Sequence, residues 1–275
     1  MTVTRVSPIG LHKQDFPTGE RMEPDMRIRV FGCSGAELPG HNLPSFLLDD
    51  KILFDAGSVT NVLDEKSQLK IESIFITHAH LDHIKGIPFL ADNTMIENRR
   101  HKVKVFSIPS VIRIMRKNLL NSLVWPDFAL KGILKLIEIK IGQATRINNY
   151  TISPVKVNHS GPATGYLVED KKGRRLFYTG DTGPSDETWE EVRKERIHCL
   201  IIEVTFPSRM EEMAIKTGHL TPRLLKKELL KIGYSPEKIC ITHLKPQYFK
   251  IIESELNRLK ISNLRILKDG ETIRV

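Results

Sequence analysis

The sequence predicts an α/β fold in which sheets are covered by helices. Three observations predict it. Short runs rich in Val, Ile, Leu and Phe alternate along the chain with longer segments of helical period. Several helical segments carry their own start and stop residues. The 275 residues, 40% of them hydrophobic and 27% charged, suffice for one large core.

The strands come in this order. Arg27–Cys33 reads as the first. Phe46–Phe54 reads as two strands joined at Asp49-Asp50. Ile71–Thr77, Val103–Ser107 and Leu134–Ile139 follow, then Thr151–Asn158 and Gly165–Glu169. Lys171-Lys172-Gly173 is a hairpin turn into Arg175–Thr179. His198–Val204 and Lys238–Thr242 are Ile-rich strands. Leu264–Leu267 and Thr272–Val275, around Asp269-Gly270, read as a closing hairpin.

Helices interrupt these strands. Ile87–Glu97 tolerates Pro88 in its first turn. Pro109–Leu123 is the next, and residues 108–133, with Trp125 and Phe128, are a candidate lid. Asp186–Glu195 has Ser185 as cap and acids in its first turn. Pro222–Ile232 has the fullest signature: Thr221 caps it, Pro222 takes the first position, and Gly233 stops it. Leu225, Leu229 and Ile232 line one face. Tyr248–Leu259 is the last helix, and the stretch between Phe206 and Gly218 reads as a short polar loop.

Composition narrows the function classes. Residues 1–26 are polar, with Pro8, Pro17 and Pro24, and read as a tail or arm. Residues 27–275 read as one domain. No run of 18 apolar residues spans a membrane, and the N-terminus lacks the apolar stretch of a secretory signal, so a cytoplasmic protein is expected. Cys33, Cys199 and Cys240 are far apart and form no C-x-x-C pair, which points to buried apolar residues. Lys and Arg number 42 against 33 Asp and Glu, a formal charge of +9 that favours anionic substrates such as nucleotides, RNA or phosphate esters. The basic residues are scattered, as at Arg113, Arg116 and Lys117, or at Lys226, Lys227 and Lys231. Charge therefore marks the chain as anion-tolerant and not as a nucleic-acid binder.

The chemistry is concentrated at Thr77-His78-Ala79-His80-Leu81-Asp82-His83, which follows the apolar strand at Ile71. Neutral imidazole and carboxylate are the usual ligands of Zn²⁺ and related ions. Alternate residues of an extended segment point the same way, so His78 and His80 can share one ion. The turn after Leu81 aims Asp82 and His83 at a second position.

This H-x-H-x-D-H pattern resembles the signature of the metallo-β-lactamase superfamily. The resemblance covers roughly residues 27–275 and implies a four-layer αββα sandwich and a hydrolase. Asp55, in Phe54-Asp55-Ala56-Gly57, matches the position that orients a ligand histidine. His159, Asp181 and His243 match the remaining ligands, in the expected order. The resemblance implies that His78, His80 and His159 hold one divalent ion and Asp82, His83 and His243 a second, with Asp181 between them. Asp82 counts as both ligand and catalytic residue. Zinc suits these ligands best, with iron or manganese as alternatives. A metal-bridged hydroxide is the implied nucleophile.

A second constellation narrows the substrate. Glu203 ends a strand in Ile202-Glu203-Val204-Thr205-Phe206, and His219 precedes the capped helix at Pro222, whose N-terminus favours an anion. Glu203 can hold the His219 imidazole protonated, and His219 can then donate to a leaving oxygen or contact a phosphate. This pairing resembles the phosphodiesterase branch. The Leu in H-x-H-L-D-H, the continuation Ile84-Lys85-Gly86-Ile87-Pro88 and the segment Gly32–Gly40 are similar to the class II cyclic-nucleotide phosphodiesterases. That family implies hydrolysis of 3′,5′-cyclic AMP or GMP to the 5′-monophosphate, a small anionic nucleotide as partner, and a homodimer. Phe46, Phe89 or Phe206 are candidates to stack the base. The tRNA 3′-processing endonucleases are the alternative, with RNA as partner. Their basic Gly/Pro-rich arm has no counterpart here, and their His-Ser-Thr reads His219-Leu220-Thr221. A catalytically weak metal-binding sensor of the same fold is the third reading.

Overall fold

The computed structural model of the chain describes residues 26–98 and 100–275. The tail or arm expected before Arg27 lies outside them, Met26 apart. Six strands open the chain: β1 (Arg27–Gly32), β2 (Ser45–Leu48), β3 (Ile52–Phe54), β4 (Ser73–Phe75), β5 (Val103–Ser107) and β6 (Leu134–Glu138). Then come β7 (Thr145–Ile147), β8 (Tyr150–Lys156), β9 (Thr164–Asp170) and β10 (Arg175–Tyr178). The last are β11 (Cys199–Glu203), β12 (Lys238–Thr242), β13 (Leu264–Ile266) and β14 (Thr272–Arg274). Among the described residues they form two seven-stranded sheets, ordered β14-β1-β2-β3-β4-β5-β6 and β13-β12-β11-β10-β9-β8-β7.

Strict alternation of apolar side chains builds the layers. Phe46, Leu48, Phe54 and Phe75 of the first sheet face Tyr166, Tyr178, Cys199, Ile201 and Cys240 of the second, in one core between the sheets. Their neighbours Leu47, Leu53, Ile74 and Val105 turn outward. There they meet α1 (Val59–Val62), α2 (Glu65–Gln68), α3 (Leu81–Ile84), α4 (Gly86–Glu97) and α5 (Pro109–Asn118). Leu200, Ile202, Ile239 and Ile241 likewise turn outward from the second sheet. Over them pack α6 (Asp186–Val192), α7 (Glu211–Thr217), α8 (Pro222–Ile232) and α9 (Phe249–Arg258). The result is the expected four-layer αββα sandwich. Each fully buried Leu, Ile or Phe contributes about 1.5–3 kcal/mol to it. All three cysteines are buried and unpaired. No helix among the described residues is long and apolar enough to cross a membrane.

The start and stop residues work as read. The Thr221 hydroxyl accepts from Leu224 N, and Gly233 ends α8 in a left-handed conformation. The Ser185 hydroxyl accepts from Thr188 N at the start of α6. Asp49 and Asp50 turn the β2–β3 hairpin with φ of 46° and 62°.

The closing hairpin is a correction. β13 pairs with β12 in the second sheet, and β14 pairs with β1 in the first. Asp269-Gly270 is thus a crossing between sheets. The Asp269 carboxylate accepts from Cys33 N at 3.0 Å and Asn42 N at 2.8 Å, which anchors the turn to the first sheet. Residues 108–133 are not wholly free to act as a lid, because Val111, Met115 and Phe128 are buried in the outer core.

Parallel pairing positions the site. β3 runs parallel to β4, and β10, β11 and β12 run parallel to one another. Their C-terminal ends collect at one rim, where loops from both sheets meet. Thr164 N donates to Thr77 O at 2.9 Å and the Tyr166 hydroxyl donates to Ile76 O at 2.7 Å, tying the rim of one sheet to the other.

Candidate metal centre

Each of the residues singled out as ligands sits just past a strand end. His78 to His83 follow β4, and His80 caps the short helix α3, which carries Asp82 and His83. His159 follows β8, Asp181 follows β10, and His243 follows β12. Asp55 and His243 both adopt left-handed backbone, with φ of 53° and 65°. This costs about 1 kcal/mol or more for a residue other than glycine. It is held by Asp55 N donating to Phe75 O at 3.0 Å and His243 N donating to Cys33 O at 2.7 Å.

The side chains converge as two groups that share one carboxylate. His78, His80, His159 and Asp181 form one; Asp82, His83, His243 and Asp181 form the other. Within each, the ligand atoms lie within 4.8 Å of one another. Asp181 Oδ1 is 3.4 Å from His83 Nε2, and Asp181 Oδ2 is 3.3 Å from His243 Nε2 and 3.7 Å from His78 Nε2. Asp82 Oδ2 is 3.3 Å from His243 Nε2.

The far nitrogen of four imidazoles is anchored to the protein. His83 Nδ1 lies 2.7 Å from Asp55 Oδ2. His159 Nδ1 lies 2.9 Å from Gly218 O, and His243 Nδ1 lies 2.9 Å from the Thr205 hydroxyl. His78 Nδ1 lies 3.0 Å from the Thr77 hydroxyl. These anchors point each Nε2 into the centre. His78 Nε2 and His83 Nε2 are buried there without a hydrogen-bond partner, which is costly unless something else binds them. Burial pushes the His78 imidazole well below its ordinary value, with His83 adding to it. It is therefore neutral, as a ligand must be. Burial alone would raise the Asp181 carboxyl, but the imidazoles of His243 and His83 hold it well below the usual carboxylate range. Orphaned imidazole nitrogens around ionised carboxylates fit divalent metal ions.

Residues 51–244 match the family described as the beta-lactamase superfamily domain. The chain belongs to that superfamily. It is 28% identical over 249 residues to the 3′,5′-cyclic-nucleotide phosphodiesterase of Aliivibrio fischeri, covering 73% of each chain. It is 25% identical over 304 residues to the Ribonuclease Z of Methanococcus maripaludis, covering 88% of this chain and 96% of the relative. The crystal structure of unliganded yeast PDE1 superposes with a TM-score of 0.78 at 19% identity, over 92% of this chain and 100% of the other. Superfamily membership and the named relatives make the chain a metal-dependent hydrolase.

In this beta-lactamase superfamily member the second constellation adjoins the first. The His219 Nδ1 atom is 2.7 Å from Glu203 Oε1. The His219 ring centre is 5.1 Å from that of His159 and 5.6 Å from that of His243. Burial alone would lower the His219 pKa, but the fully buried Glu203 carboxylate overrides it and pushes the value up to about 9. Glu203 also accepts from Thr182 N at 3.0 Å and Leu220 N at 3.2 Å.

Three residues escaped the reading of the sequence. The Thr205 hydroxyl donates to Glu203 Oε2 at 2.6 Å and contacts both His219 and His243. The Tyr178 hydroxyl donates to Asp55 Oδ2 at 2.7 Å, and Thr77 N donates to Asp55 Oδ1 at 2.8 Å. Thr and Tyr at strand ends are ordinary β residues, so only Thr205, beside Glu203, carried any local signal. The stacking candidates divide. Phe46 lies in the core between the sheets and cannot meet a ligand, because its strand position faces inward. Phe89 is exposed against Trp125, and Phe206 lies 5.7 Å from His219 between ring centres.

Proposed function

We propose that the chain is a dinuclear-metal phosphodiesterase that hydrolyses 3′,5′-cyclic nucleotides to 5′-monophosphates, with residues 27–275 as its catalytic domain. His78, His80 and His159 would hold one ion and Asp82, His83 and His243 the other, with Asp181 between them and Asp55 orienting His83. The donor set suits zinc, with iron or manganese as alternatives. Bound divalent ions supply Lewis acidity and acidify a water to near neutral pH.

The observation that carries the reading is the Glu203–His219 pair beside the two ligand groups. Both hydrogen-bond contacts of His219 use Nδ1, toward Glu203 and Thr205, which leaves Nε2 for a substrate. In hydrolysis a water oxygen bonds to phosphorus and the bond from phosphorus to the 3′ oxygen breaks. His219 gives its Nε2 proton to that departing oxygen. Glu203 holds the ring charged and fixes its orientation. Phe206, next to His219, is placed to meet the nucleoside. The cyclic-nucleotide phosphodiesterase relative supports this substrate.

The test is turnover of 3′,5′-cyclic AMP by metal-replete protein, resolved by chromatography. The proposal expects 5′-AMP. No product from protein shown to carry two ions per chain overturns the substrate assignment. The Ribonuclease Z relative, matched over 96% of its length, supports the second reading, cleavage of precursor tRNA, which the same preparation tests. Cytoplasmic location and a homodimer belong to this proposal too, and light scattering on the purified protein tests the dimer.

A further inference from the structure

Asn158 stands directly before His159 and binds the loop after Asp181 at three points. Its side-chain amide nitrogen donates to Pro184 O at 2.7 Å. Its carbonyl accepts from Gly183 N at 2.6 Å, and its own N–H donates to the Thr182 hydroxyl at 3.3 Å. The sense of the first bond is fixed, because a carbonyl oxygen only accepts and must face the NH₂ of the amide. The residue before one candidate ligand is thus joined to the three residues after another.

The two sides of this joint are not equally held. The loop after Asp181 has anchors of its own: Thr182 N donates to Glu203 Oε1 at 3.0 Å, and Ser185 N donates to Glu228 Oε2 at 2.9 Å. Both of those carboxylates are buried. His159 lies three residues past the end of β8 at Lys156, outside the ladder of the sheet. Its ring is held at Nδ1 by Gly218 O at 2.9 Å. Gly218 in turn packs on the same loop, since a Cβ on Gly183 would lie 3.2 Å from Gly218 Cα. The backbone joint at Asn158 and the carbonyl on the ring therefore both lean on residues 182–184. Asn158 itself is exposed, so a change there removes the bonds without opening the core.

We infer that Asn158 is a positioning residue of the centre. It passes the fixed geometry of residues 182–184 to His159, and so sets the affinity for the ion that His78, His80 and His159 would hold. Asn158 acts through His159 and touches neither ion nor substrate. The inference rests on the proposed ligand set and is independent of which phosphodiester is cleaved.

The test is zinc binding by chelator competition, on wild type, Asn158→Leu and Asn158→Asp, with the Tm of each metal-free protein alongside. Asn158→Leu removes the donor at similar size. Asn158→Asp also removes it and adds a negative charge near the centre, which by attraction alone would tighten a cation. The inference expects both variants to bind one of the two ions more weakly by about tenfold or more. It expects the other ion and the metal-free Tm to change little. In a His159→Ala background, which lacks the ring that Asn158 seats, Asn158→Leu should have no further effect. Wild-type affinity for both ions in Asn158→Leu overturns the inference. Tighter binding by Asn158→Asp, or an undiminished effect of Asn158→Leu in the His159→Ala background, overturns it as well. A large drop in metal-free Tm marks a general structural role and also overturns it. A wild type that binds no zinc, or a His159→Ala variant that keeps both ions at wild-type affinity, overturns the ligand set, and this inference with it.

Discussion

Asp55 is fully buried and accepts hydrogen bonds from the Thr77 amide and hydroxyl, the Tyr178 hydroxyl and His83. Its charge therefore fixes which way His83 faces. Asp55→Asn keeps the volume but replaces one acceptor oxygen with a donor. Metal affinity should fall by about 10- to 100-fold in a chelator competition, and an unchanged affinity would remove Asp55 from the centre. His219 offers a second test at this scale. Its folded pKa lies above the unfolded value, so the Glu203 contact stabilises the fold fully below about pH 6.5. That stability is lost as pH rises toward about 9. NMR titration of the metal-free protein should show the raised value, and Glu203→Gln should lower it to about 6.5 or below. An unmoved pKa in that variant would break the assignment. The candidate ligands at His78 to His83 stood out because they are adjacent in sequence. His159, Asp181 and His243 were read only through the resemblance, which supplies the order in which such residues are expected. Thr205 and Tyr178 were not, since their roles arise from contacts between distant strands.

At the scale of elements, caps and periodicity located α8 to the residue, because Thr221, Pro222, Leu225 and Gly233 all act locally. The α7 helix was missed: of its residues only Ala214 is buried, so it shows no apolar stripe to read. The supposed hairpin at Asp269-Gly270 failed for the opposite reason, a strong local turn overruled by pairing with strands far away in sequence. The end of α7 supports the centre directly. Gly218 closes the helix with φ of 72°, and a Cβ there would lie 2.7 Å from His159 Cα. Gly218→Ala should therefore displace the carbonyl that holds His159 and lower metal content per chain, by atomic absorption, toward one ion. Wild-type content would show that this contact does not matter.

At the scale of the whole molecule, the centre joins the two halves of the sandwich. His78, His80, Asp82 and His83 come from the first sheet, and His159, Asp181 and His243 from the second. A bound ion stabilises only the assembled state. At a concentration of about 1,000 times its dissociation constant it adds roughly 4 kcal/mol. Chelation should lower Tm by about 10 °C or more, and scanning calorimetry with and without chelator checks this. The layered α/β fold was legible from β-rich runs that alternate with helical segments, and the four-layer sandwich only from the resemblance to the superfamily. The order of strands was not, because side-chain pattern states which face is buried and not which neighbour covers an edge.

The central claim, that these two ligand groups drive cleavage of a phosphodiester, is tested most directly with 3′,5′-cyclic AMP. Metal-replete wild type and His80→Ala are compared at equal concentration, with product identity and bound metal measured together. The account predicts 5′-AMP from the wild type, and loss of both product and one ion in the variant. Undiminished turnover by His80→Ala, or a wild type that binds two ions and cleaves neither cyclic AMP nor any other phosphodiester, would contradict it.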